Sequence, residues 1–241
     1  MSQPYLSIII PAYNEAERIP KTLLAMDKQL EHAAYSYEIV VVNDGSKDNT
    51  AAIVKNLAKA VRNLKLIDLK DNAGKGGAVR QGMLLSAGQV RLFTDADNST
   101  SIDQFEKMMP YLKEGYEVVI GSRAVKGAEL EPPEPFVRQV IGKALNLIVQ
   151  ILLLPGIWDT QCGFKAFTQD AAGRIFHAAT VTGWGFDVEA LALARRMGYR
   201  TREMPVRWVN DARSHVRFSS GLQFLKDIAI IRWRLWWNEY K

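Results

Sequence analysis

The first half of this chain alternates between short apolar, β-branched runs and segments of helical period, a pattern that few folds accept. Ser7–Ile10, Glu38–Val42, Lys65–Leu69, Val90–Thr94 and Glu117–Ile120 read as strands. Between them, Glu15–His32, Asp48–Val61, Lys75–Ala87 and Ser101–Leu112 read as helices. The first of these places Ile19, Leu23, Met26 and Leu30 at helical spacing, and the last opens on a capping pattern at Ser101. Strands that lack polar alternation are buried on both faces, so the expected fold is α/β, a largely parallel sheet covered by helices. In such sheets ligands bind beyond the carboxyl ends of the strands. The segments there are Pro11–Glu15, Asn43–Thr50, Asp71–Gly77, Asp95–Ser99 and Gly121–Arg123, all expected on one rim.

Composition narrows the function classes. A chain of 241 residues with 48% hydrophobic and 24% charged residues is globular and long enough to bury a substantial core. Its single cysteine, Cys162, excludes an internal disulfide framework and fits a reducing compartment. His32, His177 and His215 are too scattered to ligate zinc. The net charge of +5 suits an anionic substrate or membrane surface, and equally serves solubility. With no nucleic-acid motif beside it, nucleic acid is not an expected partner. The N-terminus shows no signal-peptide pattern.

On the expected rim, Asp95 and Asp97 stand one residue apart at the end of an apolar strand. Paired carboxylate oxygens there can hold a hard divalent cation, and such a cation can hold a diphosphate; acidic turns after strands also occur as solvated caps. Asp44, before Gly45, can accept from a base N–H or a ribose hydroxyl, or form an ordinary helix-entry turn. Pro11–Glu15 offers the aromatic face of Tyr13 and the carboxylate of Glu15. Asn72–Gly77 opens a helix with glycines and Lys75, which suits an anion, without the spacing of a Walker loop.

After Gly121 the pattern changes. Gly127–Pro135 reads as a Pro- and Glu-rich loop, and Phe136–Leu154 as a long apolar helix. Its polar stripe, Gln139, Lys143, Asn146 and Gln150, disfavours a lipid-exposed span and leaves two placements, the membrane interface or the core. Leu222–Trp237 repeats the theme: Trp233, Trp236 and Trp237 beside Arg232 and Arg234 read as interfacial anchors, with a docking helix as the alternative.

SIIIPAYNE, VVNDGSKDNT, NAGKGGAVRQG, FTDADNST and IGSR, in this order, resemble the nucleotide-sugar-binding half of family 2 glycosyltransferases with the GT-A fold, which carries a Rossmann-like sheet. WDTQCGFKAFT and GWGFDVEALALARRMGY narrow the resemblance to the polyprenyl-phosphate group, dolichyl-phosphate β-glucosyltransferases above all. It runs from about Leu6 to Trp237. It implies a metal-dependent, inverting transfer of a hexose, glucose from UDP-glucose, onto a polyprenyl or dolichyl phosphate. Pro11, Tyr13, Glu15, Asp44 and Lys75 would then serve the nucleoside side of the donor, Ala96 would line it, and Asp95 and Asp97 would hold Mg²⁺ or Mn²⁺. Asp159 would sit near the reacting centre, as an orienting group, a nominal base or a turn cap. Arg123 and Arg138 would face the acceptor phosphate. The basic residue that closes over the donor has no clean match; Arg213 and Arg217 are candidates, and Arg213 is assigned to the donor site. Asn43 stands where the family commonly has a first Asp, and the second, Asp44, is present. Asp187 and Glu189 would aid acceptor positioning or serve as helix N-terminal acids.

The expected organisation is a glycosyltransferase domain over 1–215, containing the helix 136–154, and a membrane-contacting helix over 216–241. The expected location is peripheral, on the cytoplasmic face of a membrane; oligomeric state is open. A GDP-mannose donor or a saccharide or protein acceptor are the rivals within the class. Outside it stand a nucleotidyltransferase, whose glycine-rich loop after the first strand is here PAYNEAE, and an interfacial adaptor with a decayed site.

Overall fold

The computed structural model describes residues 3–132, 136–209 and 218–240, with the side chains of 136–138 and 218–220 outside the description. Its centre is a seven-stranded sheet built from β1 (Leu6–Ala12), β2 (Tyr37–Asp44), β3 (Leu64–Leu69), β4 (Val90–Thr94), β5 (Val118–Ser122), β7 (Phe164–Thr168) and β8 (Thr201–Pro205). The spatial order is β3-β2-β1-β4-β7-β5-β8. All neighbours run parallel except β7, which lies antiparallel to both β4 and β5. β1, β4 and β5 are buried along their whole length, as continuous apolar runs between two helical layers must be. Edge strand β3 is only partly buried, with Leu64 and Leu66 packed on one cluster, Ile67 and Leu69 on the other, and Lys65 and Asp68 exposed.

Two apolar clusters lie on opposite faces of the sheet. One joins Ile8 and Ile10 to α1 (Ile19–Leu30), α2 (Thr50–Leu57) and α4 (Gln104–Lys113). In α1 the buried residues are Ile19, Thr22, Leu23, Met26 and Leu30, which contain the four positions expected from spacing. The other cluster joins Ile9, Val42 and Phe93 to α3 (Gly74–Leu85), α6 (Gln169–Ala178), α7 (Phe186–Arg196) and one face of α8 (Phe218–Trp236). Close approach of α3 depends on Gly82, where a Cβ would come within 2.3 Å of Ile9.

Several sequence expectations need correction. Pro11 lies inside β1, because the β1–β4 ladder ends at Ile9↔Phe93 and beyond it β1 is paired only to β2. Ser101 does not cap α4; its hydroxyl bonds Gln29, and Asp103 precedes the helix. The Gly127–Pro135 segment contains β6 (Glu129–Glu131), paired in parallel to β9 (Arg207–Val209) outside the main sheet. α5 (Phe136–Leu152) buries Val149 and leaves Ile141, Leu147 and Ile151 exposed. α8 packs one face into the second cluster through Phe224, Ile228 and Ile231, the docking contact that its sequence left open beside a membrane contact.

Candidate active site

The parallel strands bring their carboxyl ends to one rim, and side chains stitch the loops there together. The amide of Asn14 donates to Ser46 Oγ at 2.9 Å, that of Glu15 to Thr50 Oγ1 at 2.9 Å, and that of Lys47 to Asn14 Oδ1 at 2.8 Å. These bonds weld the β1 loop to the β2 loop. Tyr13 projects from it, 42% exposed, whereas Pro11 is buried in the strand. The Glu15 carboxylate is engaged by Arg18, whose Nε lies at 2.6 Å.

Asp44 ends β2 with its side chain buried. It accepts from the amide of Ala73 at 2.6 Å, and burial, only partly offset by bonds from Ala73 and Gly74, pushes its carboxyl above the usual range. Gly45 follows at φ 64°, and a Cβ there would meet the Asp71–Asn72 backbone at 2.8 Å. Asn43 donates to Asp68 at 2.8 Å on the far side of the strand end.

At the α3 N-terminus several backbone amides already have partners within the protein. The amide of Ala73 is taken by Asp44, that of Gly74 by Asn72 Oδ1 at 3.2 Å, and that of Gly76 by the Thr182 carbonyl at 2.8 Å. Gly74 and Gly76 are small because the loop before α7 packs on them; a Cβ at either would lie 2.5 Å from a carbonyl oxygen of Thr182 or Val181. Lys75 turns its charge to the next strand end. Its Nζ lies 2.7 Å from Asp95 Oδ1 and 5.1 Å from the Trp184 ring centroid. Burial alone would lower the Lys75 pKa, but the nearby Asp95 and Asp187 charges outweigh it and raise the value.

Asp95 and Asp97 flank the buried Ala96, whose carbonyl accepts from Thr22 Oγ1 at 2.6 Å. Burial, and then the charge of Asp95, push the Asp97 carboxyl up; the amide of Ser99, donating at 3.0 Å, opposes this. Two neighbouring carboxylates with only hard oxygen donors suit Mg²⁺ or Mn²⁺, which fill their remaining positions with phosphate oxygens and water. Among the described residues no group of three or more His, Cys, Asp or Glu side chains is placed to hold a metal ion, so the protein's share of the ligands would be this pair. Asp95 rests on Gly163, at the rim end of antiparallel β7, where a Cβ would come within 2.1 Å of Oδ2.

Arg123 follows β5 and reaches across to Asp159. Its Nε donates to Oδ2 at 2.8 Å, its Nη2 to Oδ1 at 3.0 Å, and its own amide to Oδ2 at 2.9 Å. The guanidinium also lies 4.8 Å from the Trp208 ring centroid. Burial would raise the Asp159 carboxyl, but Arg123 wins and holds it below the usual range. Glu203 accepts from the amides of Trp158 and Asp159 at 2.8 and 2.9 Å, which fixes the turn that carries Asp159. Cys162 is sealed, and burial pushes its thiol up to about 12, as a packing thiol would be. Arg213 and Arg217 lie outside the described residues, as does the side chain of Arg138.

Two groups were not anticipated in these roles. Lys165, expected of no function, is sealed near the rim end of β7 and pairs with Asp187 at 2.6 Å. Glu189 is also sealed, accepting from Thr180, Val181 and the hydroxyl of Tyr240, so it ties the loop before α7 to the chain's last turn. From α8, Asp227 accepts from the Gly185 amide at 3.1 Å, next to Trp184.

A family profile described as Glycosyl transferase family 2 matches residues 7–176. Dolichyl-phosphate beta-glucosyltransferase of Dictyostelium discoideum is 39% identical over 243 residues, covering 95% of this chain and 74% of that protein. The Homo sapiens protein of the same name is 35% identical, covering 95% of this chain and 75% of its own length. In structure, mannosyl-3-phosphoglycerate synthase from Rubrobacter xylanophilus superposes with a TM-score of 0.71 at 17% identity, covering 98% of this chain and 75% of that one. Glucosyl-3-phosphoglycerate synthase from Mycobacterium tuberculosis, crystallised with Mn²⁺, UDP and glucosyl-3-phosphoglycerate, gives a TM-score of 0.67 at 17% identity, covering 95% of this chain and 80% of that one. These structural likenesses establish the GT-A fold. On the strength of the profile and the relatives, the chain belongs to glycosyl transferase family 2.

Proposed function

We propose that this chain transfers glucose from UDP-glucose to a dolichyl or other polyprenyl phosphate, with inversion, at a membrane surface. The observation that carries this reading is the meeting on one rim of buried Asp44, the Asp95/Asp97 pair and the Arg123–Asp159 pair. Relatives named dolichyl-phosphate beta-glucosyltransferase, at 35–39% identity, support the sugar and acceptor. The UDP and Mn²⁺ complexes of more distant structures support the donor and cation.

In this reading Tyr13 and Asp44 receive the nucleoside, with Pro11, Glu15 and Ala96 shaping the wall around them. A divalent cation held by Asp95 and Asp97 would offset the negative charge that gathers on the departing diphosphate. An oxygen of the lipid phosphate attacks the anomeric carbon; the new C–O bond forms as the bond to UDP breaks, and UDP leaves with that electron pair. A phosphate is ionised at neutral pH, so no strong base is required. The state of the carboxylates agrees: Asp159 is locked on Arg123 and Asp187 on Lys165. Arg123 attracts the acceptor phosphate by its charge, and Asp159, bidentate on Nε and Nη2, fixes the plane of the guanidinium. Arg138 and Arg213 keep their roles by resemblance alone.

Membrane attachment is peripheral and cytoplasmic in this proposal. It is supported by the exposed Ile141, Leu147 and Ile151 of α5 and by Trp233 and Trp236 of α8, 59% and 75% exposed. No described helix is long and apolar enough to cross a membrane. The test of the site is Asp97→Ala: glucose transfer to a short polyprenyl phosphate should fall about 100-fold or more, with circular dichroism unchanged. Full activity in that variant would remove the diphosphate-holding role.

A further inference from the structure

The charged residues of the rim continue inward to a pair that stability does not explain. The side chains of Lys165 and Asp187 are 0% and 3% exposed and lie 2.6 Å apart. Desolvating two charges offsets much of their attraction, and an apolar pair of similar volume commonly serves a fold as well or better. What distinguishes this pair is its position.

The antiparallel register Phe93↔Lys165, Thr94↔Phe164 carries on to set Gly163 beside Asp95. Strand alternation puts Phe93, Asp95, Gly163 and Lys165 on one face of the sheet. Lys165 Nζ lies 5.2 Å from the Phe93 ring centroid and donates to the Cys162 carbonyl at 2.6 Å. It therefore ties down the residue immediately before Gly163, the floor on which the Asp95 carboxylate rests. Asp187 follows Phe186, whose ring is 5.5 Å from that of Phe93 and 5.9 Å from Lys75 Nζ. Charges thus alternate through the layer as Lys165, Asp187, Lys75 and Asp95. Among charged neighbours of Lys75, Asp187 ranks next after Asp95.

We propose that Lys165 and Asp187 are positioning residues: together they set the Cys162–Gly163 floor and the place of Lys75, so that Asp95 is held in one orientation before cation and diphosphate arrive. This rests on the reading that Asp95 and Asp97 hold a cation on UDP. Neither member of the pair touches the reacting atoms in this account.

The test uses the full chain and calorimetric titration with UDP, with and without Mn²⁺. K165M and D187N each leave one buried charge without its partner and should lower the thermal midpoint. K165M/D187L removes both charges and should recover the midpoint. Its Mn²⁺-dependent UDP affinity should nevertheless be about 10–100-fold weaker than that of the unaltered chain, the usual effect of losing a group that orients a metal ligand. UDP affinity without metal should fall much less than the Mn²⁺-dependent affinity, since Asp44 is untouched and only Lys75 of the nucleoside side is affected. A folded double variant with the original Mn²⁺-dependent affinity would overturn the proposal. If the double variant does not fold, D187N at low temperature takes its place, because it keeps the shape and removes only the charge near Lys75; an unchanged Mn²⁺ dependence there also overturns it. If the unaltered chain itself gains no UDP affinity from Mn²⁺, the underlying reading fails, and the inference with it.

Discussion

Gly163→Ala is the smallest change expected to disable the site. The added Cβ would sit 2.1 Å from Asp95 Oδ2, 2.4 Å from Cγ and 2.8 Å from Oδ1. All three atoms of the carboxyl group are too close, so rotating the group does not relieve the clash. Bringing Oδ2 to an ordinary contact of about 3.4 Å from a start of 2.1 Å requires a displacement of about 1.3 Å. That movement pulls Asp95 off Lys75, now 2.7 Å away. A misplacement of about 1 Å at a reacting centre can cost about 100-fold in rate. Steady-state kcat for sugar transfer should therefore fall about 100-fold, with the UDP affinity measured without metal retained. The fold should survive, because the clash is with the tip of a partly exposed side chain at the strand's end. Wild-type kcat in G163A would refute the claim that Asp95 acts from the place observed.

Two further outcomes follow from other parts of the molecule. Because Arg123 depresses the Asp159 carboxyl in the folded state, its stabilising effect is complete above the unfolded value of about 4 and drains as pH falls through the lower folded value. Asp159→Asn should cost about 2–3 kcal/mol at neutral pH, below the fully buried range because Arg123 keeps 23% exposure, and should flatten the acid limb of a calorimetric pH series; an unchanged acid limb would refute the assignment. W233S/W236S/W237S should reduce sedimentation with anionic liposomes without moving the thermal midpoint, since the three rings are 59%, 75% and 62% exposed. Undiminished liposome binding would leave α8 a docking helix only. Deleting α8 is the poorer test, because Phe224, Ile228 and Ile231 belong to the core.

Much of the fold could be read from local pattern where burial alone decides conformation. β4 coincides with the expected Val90–Thr94, and the α1 stripe falls at the expected positions. The rim also follows, since parallel strands must deliver their ends together. What escaped depends on distant partners. Phe164–Thr168 is hard to recognise as a central strand because Lys165 interrupts its apolar run, and only Asp187, in another element, makes that burial possible. The Glu129–Glu131 strand is three residues long and polar, so its pairing with Arg207–Val209 leaves no periodic signal. The glycines of Asn72–Gly77 suggest an anion site, whereas the amides of Ala73, Gly74 and Gly76 are taken by Asp44, Asn72 and Thr182. Likewise Arg123 and Asp159, 36 positions apart, could be named separately but not joined.

The central claim is that this rim moves glucose from a uridine donor to a lipid phosphate. Incubating the chain with Mn²⁺, a short polyprenyl phosphate and either UDP-glucose or GDP-mannose, and measuring the released nucleotide with the glycosylated lipid, tests it most directly. UDP release should be matched one to one by glucosyl lipid, with no GDP released from the mannose donor. GDP release with mannosyl lipid, or UDP release without a lipid product, would contradict it.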